Sequence, residues 1–162
     1  MFKSHPIAHN KPSDRIEVMT PDYLAKQIVD HFNPMGKCLE PCRGTGNIYN
    51  VLPEADWCEI NEGRDFFEYD KHVDWIITNP PFKGVRDWFD KATDLADNIV
   101  FLVLMHHIMD WKTKKLCESK GFGMKEIVFV KTPKKAGFPG FQLGCVHYQM
   151  GYKDKTTIGE LE

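Results

Sequence analysis

An amide and an aromatic side chain flank a rigid corner in the middle of the chain. Asn79 precedes two prolines, and Phe82 follows them. The six residues 73–78 are bulky or β-branched apart from one aspartate, which is typical of a buried strand in a parallel sheet. Pro80 and Pro81 end this strand because neither can donate a ladder hydrogen bond. We therefore predict that Asn79 and Phe82 lie at the carboxyl end of a strand, where open α/β sheets bind ligands.

A glycine-rich turn upstream offers a second place where a ligand could approach the backbone. The turn follows a short strand that ends at Glu40, and it contains Pro41, Gly44 and Gly46. We expect a helix to begin over residues 47–52. The turn lacks the third glycine of a dinucleotide fingerprint and the Lys-Ser/Thr pair of a phosphate loop. Taken alone, it is equally consistent with an ordinary connection between a strand and a helix.

Acidic residues follow at positions suited to a nucleotide-like ligand. A second strand is predicted over residues 55–60, and Glu59 near its end could accept hydrogen bonds from two ribose hydroxyls. A surface position exposed to solvent is the alternative for Glu59. Asp65 could accept a hydrogen bond from an exocyclic amine, and Phe66 or Phe67 could cover a purine face. Core packing is the alternative for these two rings, and we favour it for at least one of them.

The remaining residues predict alternating helices and strands. Thr20 is expected to cap a first helix that has Pro21 in its first turn. Two consecutive strands end the pattern, the last one over residues 141–152. We predict an α/β fold in which a mostly parallel sheet carries an antiparallel strand at or near one edge.

The totals suit one domain of 162 residues, with an extended arm over residues 1–19 and a polar tail over residues 153–162. The net charge of -2 gives no overall basic footprint, so a nucleic acid would have to be held by local patches. The five cysteines are scattered, so we predict no metal site and free thiols in a reducing compartment, the cytoplasm. We expect no membrane-spanning segment.

Taken in order, these pieces resemble the S-adenosylmethionine-dependent methyltransferases of the Rossmann-like class, and within them the enzymes that methylate the N6 amino group of adenine in nucleic acids. Four segments carry the resemblance: Thr20-Pro21, the stretch from Glu40 to Gly46, Glu59 with Asp65-Phe66, and Asn79-Pro80-Pro81-Phe82. Their order is similar to the gamma arrangement of that family. The resemblance covers roughly residues 18–152.

The resemblance implies a Rossmann-like methyltransferase fold of reduced size and S-adenosyl-L-methionine as the cofactor. Thr20 and Pro21 would contact the methionine end of the cofactor, Glu59 its ribose, and Asp65 with Phe66 its adenine. The other implied cofactor-binding residues are Glu40, Pro41, Gly44, Gly46 and Ile60. The implied catalytic residues are Asn79, Pro80, Pro81 and Phe82.

The implied chemistry is a methyl transfer to a weak nucleophile. The lone pair of adenine N6 is conjugated into the ring, and the Asn79 side-chain oxygen and the Pro80 carbonyl would accept its two amino hydrogens. That contact favours a tetrahedral nitrogen with its lone pair aimed at the methyl group, so positioning supplies much of the acceleration. Phe82 would stack on a base flipped out of the duplex. The proton can leave to water afterwards.

The chain departs from the family pattern in two places. Only residues 61–71 separate the second strand from the catalytic strand, which is too short for the usual helix and third strand. We expect no target-recognition domain after the catalytic motif, so any sequence preference would be short, would come from a partner subunit, or would be absent. Phosphate contacts are predicted for six lysines, for which an ordinary solvated surface is equally consistent: Lys112, Lys114, Lys115, Lys131, Lys134 and Lys135.

The acceptor is open at this point. The same corner is used on RNA bases and on a protein glutamine amide, because all these acceptors are planar conjugated amino groups. The clustered lysines favour a nucleic acid, and we expect DNA rather than RNA. The alternatives are an RNA-base or protein-glutamine methyltransferase, or a non-catalytic methyltransferase-like binding subunit. The incomplete glycine fingerprint disfavours a nicotinamide oxidoreductase.

Overall fold

The computed structural model describes residues 19–134 and 142–161. Its helices are α1 (Asp22–Phe32), α2 (Val85–Thr93), α3 (Met105–Ile108) and α4 (Trp111–Ser119). Its strands are β1 (Cys38–Glu40), β2 (Ala55–Trp57), β3 (Val73–Thr78), β4 (Ala96–Leu104), β5 (Phe122–Val130), β6 (Leu143–Met150) and β7 (Thr157–Glu160). The predicted arm lies outside the described residues except for Met19.

One seven-stranded sheet, in the order β2-β1-β3-β4-β6-β5-β7, organises the molecule. β6 runs antiparallel to both of its neighbours, and every other pair of adjacent strands is parallel. The predicted fold is therefore confirmed: the sheet is mostly parallel, with one antiparallel strand near an edge. All strands except β6 end at the same edge of the sheet, which we call the carboxyl edge.

Helices cover both faces of the sheet, which explains the long apolar strands. Along β4, Ile99, Phe101 and Val103 belong to the core cluster that also contains residues of α2 and α4. The alternate side chains Val100 and Leu102 belong to the opposite cluster, which contains the apolar stripe of α1. A strand covered on both faces cannot alternate between apolar and polar residues. Within the described residues, no helix is both long and apolar enough to cross a bilayer.

The segment between β2 and β3 contains no full helix or strand, as its length predicts. It forms two short 3-10 turns, Ile60–Glu62 and Phe66–Glu68. The exposed side of β2 is covered instead by charged side chains. The guanidinium carbons of Arg43 and Arg64 lie 3.9 and 4.0 Å from the centroids of the Trp57 rings. Arg43 also pairs with Glu62, and Arg64 with Asp56.

Two local predictions are wrong at the start of the site. Pro21, and not Thr20, is the N-cap of α1, because the Pro21 carbonyl accepts the first helical hydrogen bond, from the Ala25 backbone. The Thr20 hydroxyl accepts a hydrogen bond from Asn79 instead. The helix predicted over residues 47–52 is only a 3-10 turn, Tyr49–Val51. Leu52 has an extended backbone with ψ of 140°, as expected for a residue before a proline. The glycine turn therefore leads into a single tight turn.

The ends of two other elements also differ from the prediction. β2 stops at Trp57, so Ile60 lies in a 3-10 turn and only the bridge between Glu59 and Arg64 continues the pairing. The predicted polar tail contains β7, which pairs in parallel with β5. Edge strands are short and rich in polar residues, so the composition of this segment concealed it.

Candidate active site at the carboxyl edge

The parallel pairing of β1, β2 and β3 brings three sequence-predicted residues to one edge. Glu40 is the last residue of β1, Glu59 follows β2, and Asn79 follows β3. β1 lies between the other two strands. Glu40 and Asn79, which are 39 residues apart in the sequence, therefore lie at the ends of neighbouring strands.

Thr20 joins the corner after β3 to the glycine turn after β1. Its hydroxyl oxygen accepts a hydrogen bond from Nδ2 of Asn79 at 3.2 Å, and its carbonyl oxygen accepts one from Nδ2 of Asn47 at 2.8 Å. Thr20 itself is buried. These contacts connect three segments that are distant in the sequence. Because the nitrogen end of the Asn79 amide points at Thr20, the orientation of its oxygen end is fixed as well.

Glu59 holds the glycine turn against the end of β2. Its Oε2 accepts a hydrogen bond from the Gly44 backbone at 2.9 Å, and its Oε1 accepts one from the Asn61 backbone at 3.1 Å. Gly44 and Gly46 have φ angles of 53° and 90°, which favour glycine. A Cβ on Gly44 would also lie 2.8 Å from Sδ of Met19. The turn is therefore closely flanked by residues from two other segments, Met19 and Glu59.

Glu40 is a buried carboxyl group with an unsatisfied oxygen. The residue is 2% exposed, and Oε2 makes no hydrogen bond with any described residue. Burial raises the pKa of Glu40 to about 9, although the Tyr49 backbone N–H and Arg43 act in the opposite direction. The carboxyl group is therefore protonated at neutral pH. A cationic group placed against Oε2 would favour its ionised form.

The acceptor corner itself is partly open. Pro80 is buried, whereas Asn79, Pro81 and Phe82 are half-buried. The Phe82 ring faces the ring of His107, with centroids 6.4 Å apart and an angle of 30° between the planes. Burial and the neighbouring His106 lower the pKa of His107, so its ring is neutral at pH 7. The corner thus presents an amide and two flat rings.

The predicted adenine-binding pair has structural roles: Asp65 caps a 3-10 turn and Phe66 belongs to the core. Oδ1 of Asp65 accepts a hydrogen bond from the Phe67 backbone at 2.9 Å and so caps the second 3-10 turn. Phe66 is 2% exposed and stacks on Trp88 with centroids 4.9 Å apart. Its ring is part of the core, as favoured for one of the two phenylalanines, while Phe67 is half-buried.

The predicted phosphate-contacting lysines form two groups. Lys112, Lys114 and Lys115 lie on α4, where the last two pair with Glu118. Lys131 and Lys134 are exposed and follow β5 at the carboxyl edge. Lys135 lies outside the described residues.

Comparison with solved structures identifies the fold. No protein-family model matches the chain, and no curated protein matches it in sequence. The M protein of the type I restriction enzyme EcoKI superposes with a TM-score of 0.64 at 12% identity, over 85% of this chain and 45% of that chain. The fold is that of Rossmann-like methyltransferases. It is reduced in size, because the segment between β2 and β3 holds only two 3-10 turns.

Two further matches have the same methyltransferase fold. A protein of Pyrococcus horikoshii, PH1948, provisionally assigned as an RNA methyltransferase, superposes with a TM-score of 0.63 at 15% identity, over 80% of this chain and 83% of that chain. TrmN of Thermus thermophilus superposes with a TM-score of 0.54 at 16% identity, over 80% of this chain and 48% of that chain. The chain thus spans less than half the length of TrmN and of the EcoKI protein.

Three residues beside the candidate site were not predicted from the sequence. Asn47, Met19 and His107 contact predicted site residues, but their partners lie far away in the chain. A polar residue directly after the glycine turn was the only signal for Asn47. Within the described residues, no group of three or more His, Cys, Asp or Glu side chains is placed to hold a metal ion. The five cysteines are free thiols, as predicted.

We predict that replacing Glu59 by alanine weakens binding of S-adenosylmethionine, the cofactor implied by the sequence resemblance, roughly tenfold or more. The change removes the acceptor for the Gly44 backbone, so the glycine turn loses its support at β2. Isothermal titration calorimetry with the wild type and the variant measures the effect. Glu68→Ala is the matched control, because Glu68 is an exposed glutamate of the second 3-10 turn. Equal affinities for all three proteins would remove Glu59 from the site.

Proposed function

We propose that this protein is an S-adenosylmethionine-dependent methyltransferase that acts on the N6 amino group of adenine in DNA. The observation that carries the proposal is the junction at Thr20, which accepts hydrogen bonds from Asn47 beside the glycine turn and from Asn79 at the proline corner. A cofactor held at the turn and an acceptor held at the corner would therefore be neighbours. Such neighbours are what a direct transfer of a group requires.

The residues of the glycine turn and of the β1 end fit S-adenosylmethionine. This cofactor carries positive charge, and Oε2 of the buried Glu40 has no described hydrogen-bond partner. The positive φ angles of Gly44 and Gly46 allow the backbone to approach a ligand closely. Glu59 lies two residues after the end of β2, a position where a ribose would be held. When bound, the cofactor would supply an electrophilic methyl group.

The proline corner would orient the acceptor. Oδ1 of Asn79 and the Pro80 carbonyl oxygen would accept the two hydrogens of a planar amino group, and Thr20 keeps the Asn79 amide from rotating. Phe82 and the neutral His107 offer aromatic surface to a planar base. The proton released from the amino nitrogen would pass to water. The corner would thus lower the barrier chiefly by holding the acceptor in line with the methyl group.

RNA is the second candidate acceptor, because the match to PH1948 covers most of both chains. DNA remains the proposal: the M protein of a type I restriction enzyme has a similar fold, and lysines lie at the same sheet edge as the corner. Type I modification subunits of this fold also suggest that a partner subunit could contribute recognition. Neither acceptor requires a metal ion in this mechanism.

A panel of acceptors tests the proposal. Labelled S-adenosylmethionine is incubated with the protein and with unmethylated duplex DNA, single-stranded DNA, RNA or a protein extract in separate reactions. The proposal predicts label in DNA. Label in RNA or protein alone would show that RNA or protein, and not DNA, is the acceptor. Cofactor binding without any methyl transfer would favour a non-catalytic binding subunit.

A further inference from the structure

Two large apolar side chains project into solvent next to the acceptor corner. Met109 is 71% exposed and Trp111 is 66% exposed, whereas Ile108 and Cys117 of the flanking helices are buried. We call Met109, Asp110 and Trp111, the last of which is the first residue of α4, the 109–111 loop. An exposed methionine and tryptophan so close in sequence contribute nothing to the core. Two exposed apolar side chains of this size, only two residues apart, favour a contact surface over an ordinary solvated one.

Two contacts hold the 109–111 loop beside the corner. On one side, the ring of His107 faces Phe82. On the other side, Oδ2 of Asp110 accepts a hydrogen bond from Arg86 at 2.8 Å, and Arg86 lies in the first turn of α2, shortly after Phe82. Asp110 also caps α4 by accepting from the Thr113 backbone at 3.1 Å. The position of the loop relative to Phe82 is therefore defined by side-chain contacts and does not depend on chain connectivity alone.

Lysines border the aromatic surface of the loop, although the chain as a whole has a net charge of -2 and Lys115 also pairs with Glu118. Nζ of Lys115 lies 4.5 Å from the centroid of the Trp111 ring. Lys112 is exposed on the same first turn of α4, and Lys83 is exposed directly after Phe82. Aromatic surface bordered by lysines matches stacked bases and phosphates. The core of a protein–protein interface is usually depleted of such charges.

We propose that the 109–111 loop contacts the nucleic acid next to the acceptor base, with Trp111 stacked on a neighbouring base. Met109 would fill part of the space that the extruded base leaves, while Lys112 and Lys115 would contact phosphates. The inference rests on the proposed function, because an acceptor base at the Asn79 corner is what brings a strand to this loop. Inserted apolar side chains compensate for the stacking that is lost when a base leaves the helix.

Substitution of Trp111 tests the role of the loop. Fluorescence anisotropy with labelled duplex DNA should show roughly tenfold weaker binding for Trp111→Ala, since aromatic stacking contributes strongly to the affinity of single bases. Trp111→Phe keeps a ring and should retain most of the affinity. Ile158→Ala is the matched control, because Ile158 is 71% exposed but lies on β7, at the end of the sheet. Calorimetry should show unchanged cofactor affinity for all three variants.

The outcomes separate the loop from the proposed reaction. If Trp111→Ala and Ile158→Ala both bind DNA like the wild type, the loop has no role, even where the wild type transfers methyl groups to DNA. If Trp111→Ala alone loses affinity while the wild type transfers no methyl group, the proposed contact with nucleic acid is supported and the proposed reaction is contradicted. A wild-type protein that binds no nucleic acid would overturn both.

Discussion

Replacing Asn79 by alanine should reduce methyl transfer about 100- to 1000-fold while cofactor affinity stays the same. The variant loses the side-chain oxygen that would accept a hydrogen from the amino group of the acceptor. It also loses the hydrogen bond from Nδ2 to Thr20, which is worth about 1 kcal/mol of folding free energy, so the fold should persist. Initial rates with saturating cofactor, together with calorimetry, measure the two effects separately.

Asn79→Asp is the matched control for this prediction. Aspartate has nearly the same shape and keeps an acceptor oxygen, so part of the transfer activity should remain. Thermal unfolding of both variants monitors the fold. Transfer by Asn79→Ala at the wild-type rate would show that the amide takes no part in the reaction.

Replacing Glu40 by glutamine should remove a pH dependence from the stability of the cofactor-free protein. The pKa of Glu40 is about 9 in the folded chain against an ordinary value of 4.5, so between these pH values the folded state binds more protons than the unfolded state. The free energy of unfolding must then fall as pH rises through this window, by up to about 1.4 kcal/mol per pH unit. The variant lacks this slope and should be more stable than the wild type above pH 4.5.

Urea unfolding at several pH values, with Glu68→Gln as an exposed control, measures the Glu40 effect. Burial lowers the pKa of His147 from 6.5 to about 4. Between these two pH values, His147 makes the free energy of unfolding rise with pH, which is opposite to the effect of Glu40. The difference between wild type and variant therefore isolates Glu40. If the plots of unfolding free energy against pH stay parallel for the wild type and Glu40→Gln, the assignment of a neutral buried carboxyl group is contradicted.

Cofactor binding provides a second measure of the Glu40 carboxyl group. A positively charged ligand beside Oε2 should ionise the group, so binding at neutral pH should release about one proton. Calorimetry in buffers with different ionisation enthalpies counts this proton. Glu40→Gln should release none and should bind the cofactor more weakly. If the wild type binds the cofactor without releasing a proton, the positive charge of the cofactor does not lie against Oε2 of Glu40.

The parallel strands and the proline corner were predictable because their causes are local. Residues 73–78 are apolar enough to be buried on both faces, and Pro80 and Pro81 end the strand wherever it is placed. The order of the motifs then indicated the fold. The short distance between Glu59 and β3 also showed correctly that no further helix or strand could fit there.

The contacts that assemble the candidate site were not predictable, because they are made between distant segments. Threonine is a preferred residue at a helix N-cap, but the hydroxyl of Thr20 accepts a hydrogen bond from Asn79, which is 59 residues away. Nothing near Phe82 in the sequence indicates that His107 faces it. β7 was missed for a different reason: a short edge strand needs few apolar residues, so it resembles a polar tail.

The central claim is that the corner at Asn79 presents adenine N6 to the cofactor methyl group. Its most direct test is transfer of labelled methyl from S-adenosylmethionine to unmethylated duplex DNA, followed by digestion to nucleosides and their separation. We expect label in N6-methyladenine with the wild type and a loss of nearly all of it with Asn79→Ala. Label in another nucleoside, or label that persists in the variant, would contradict it.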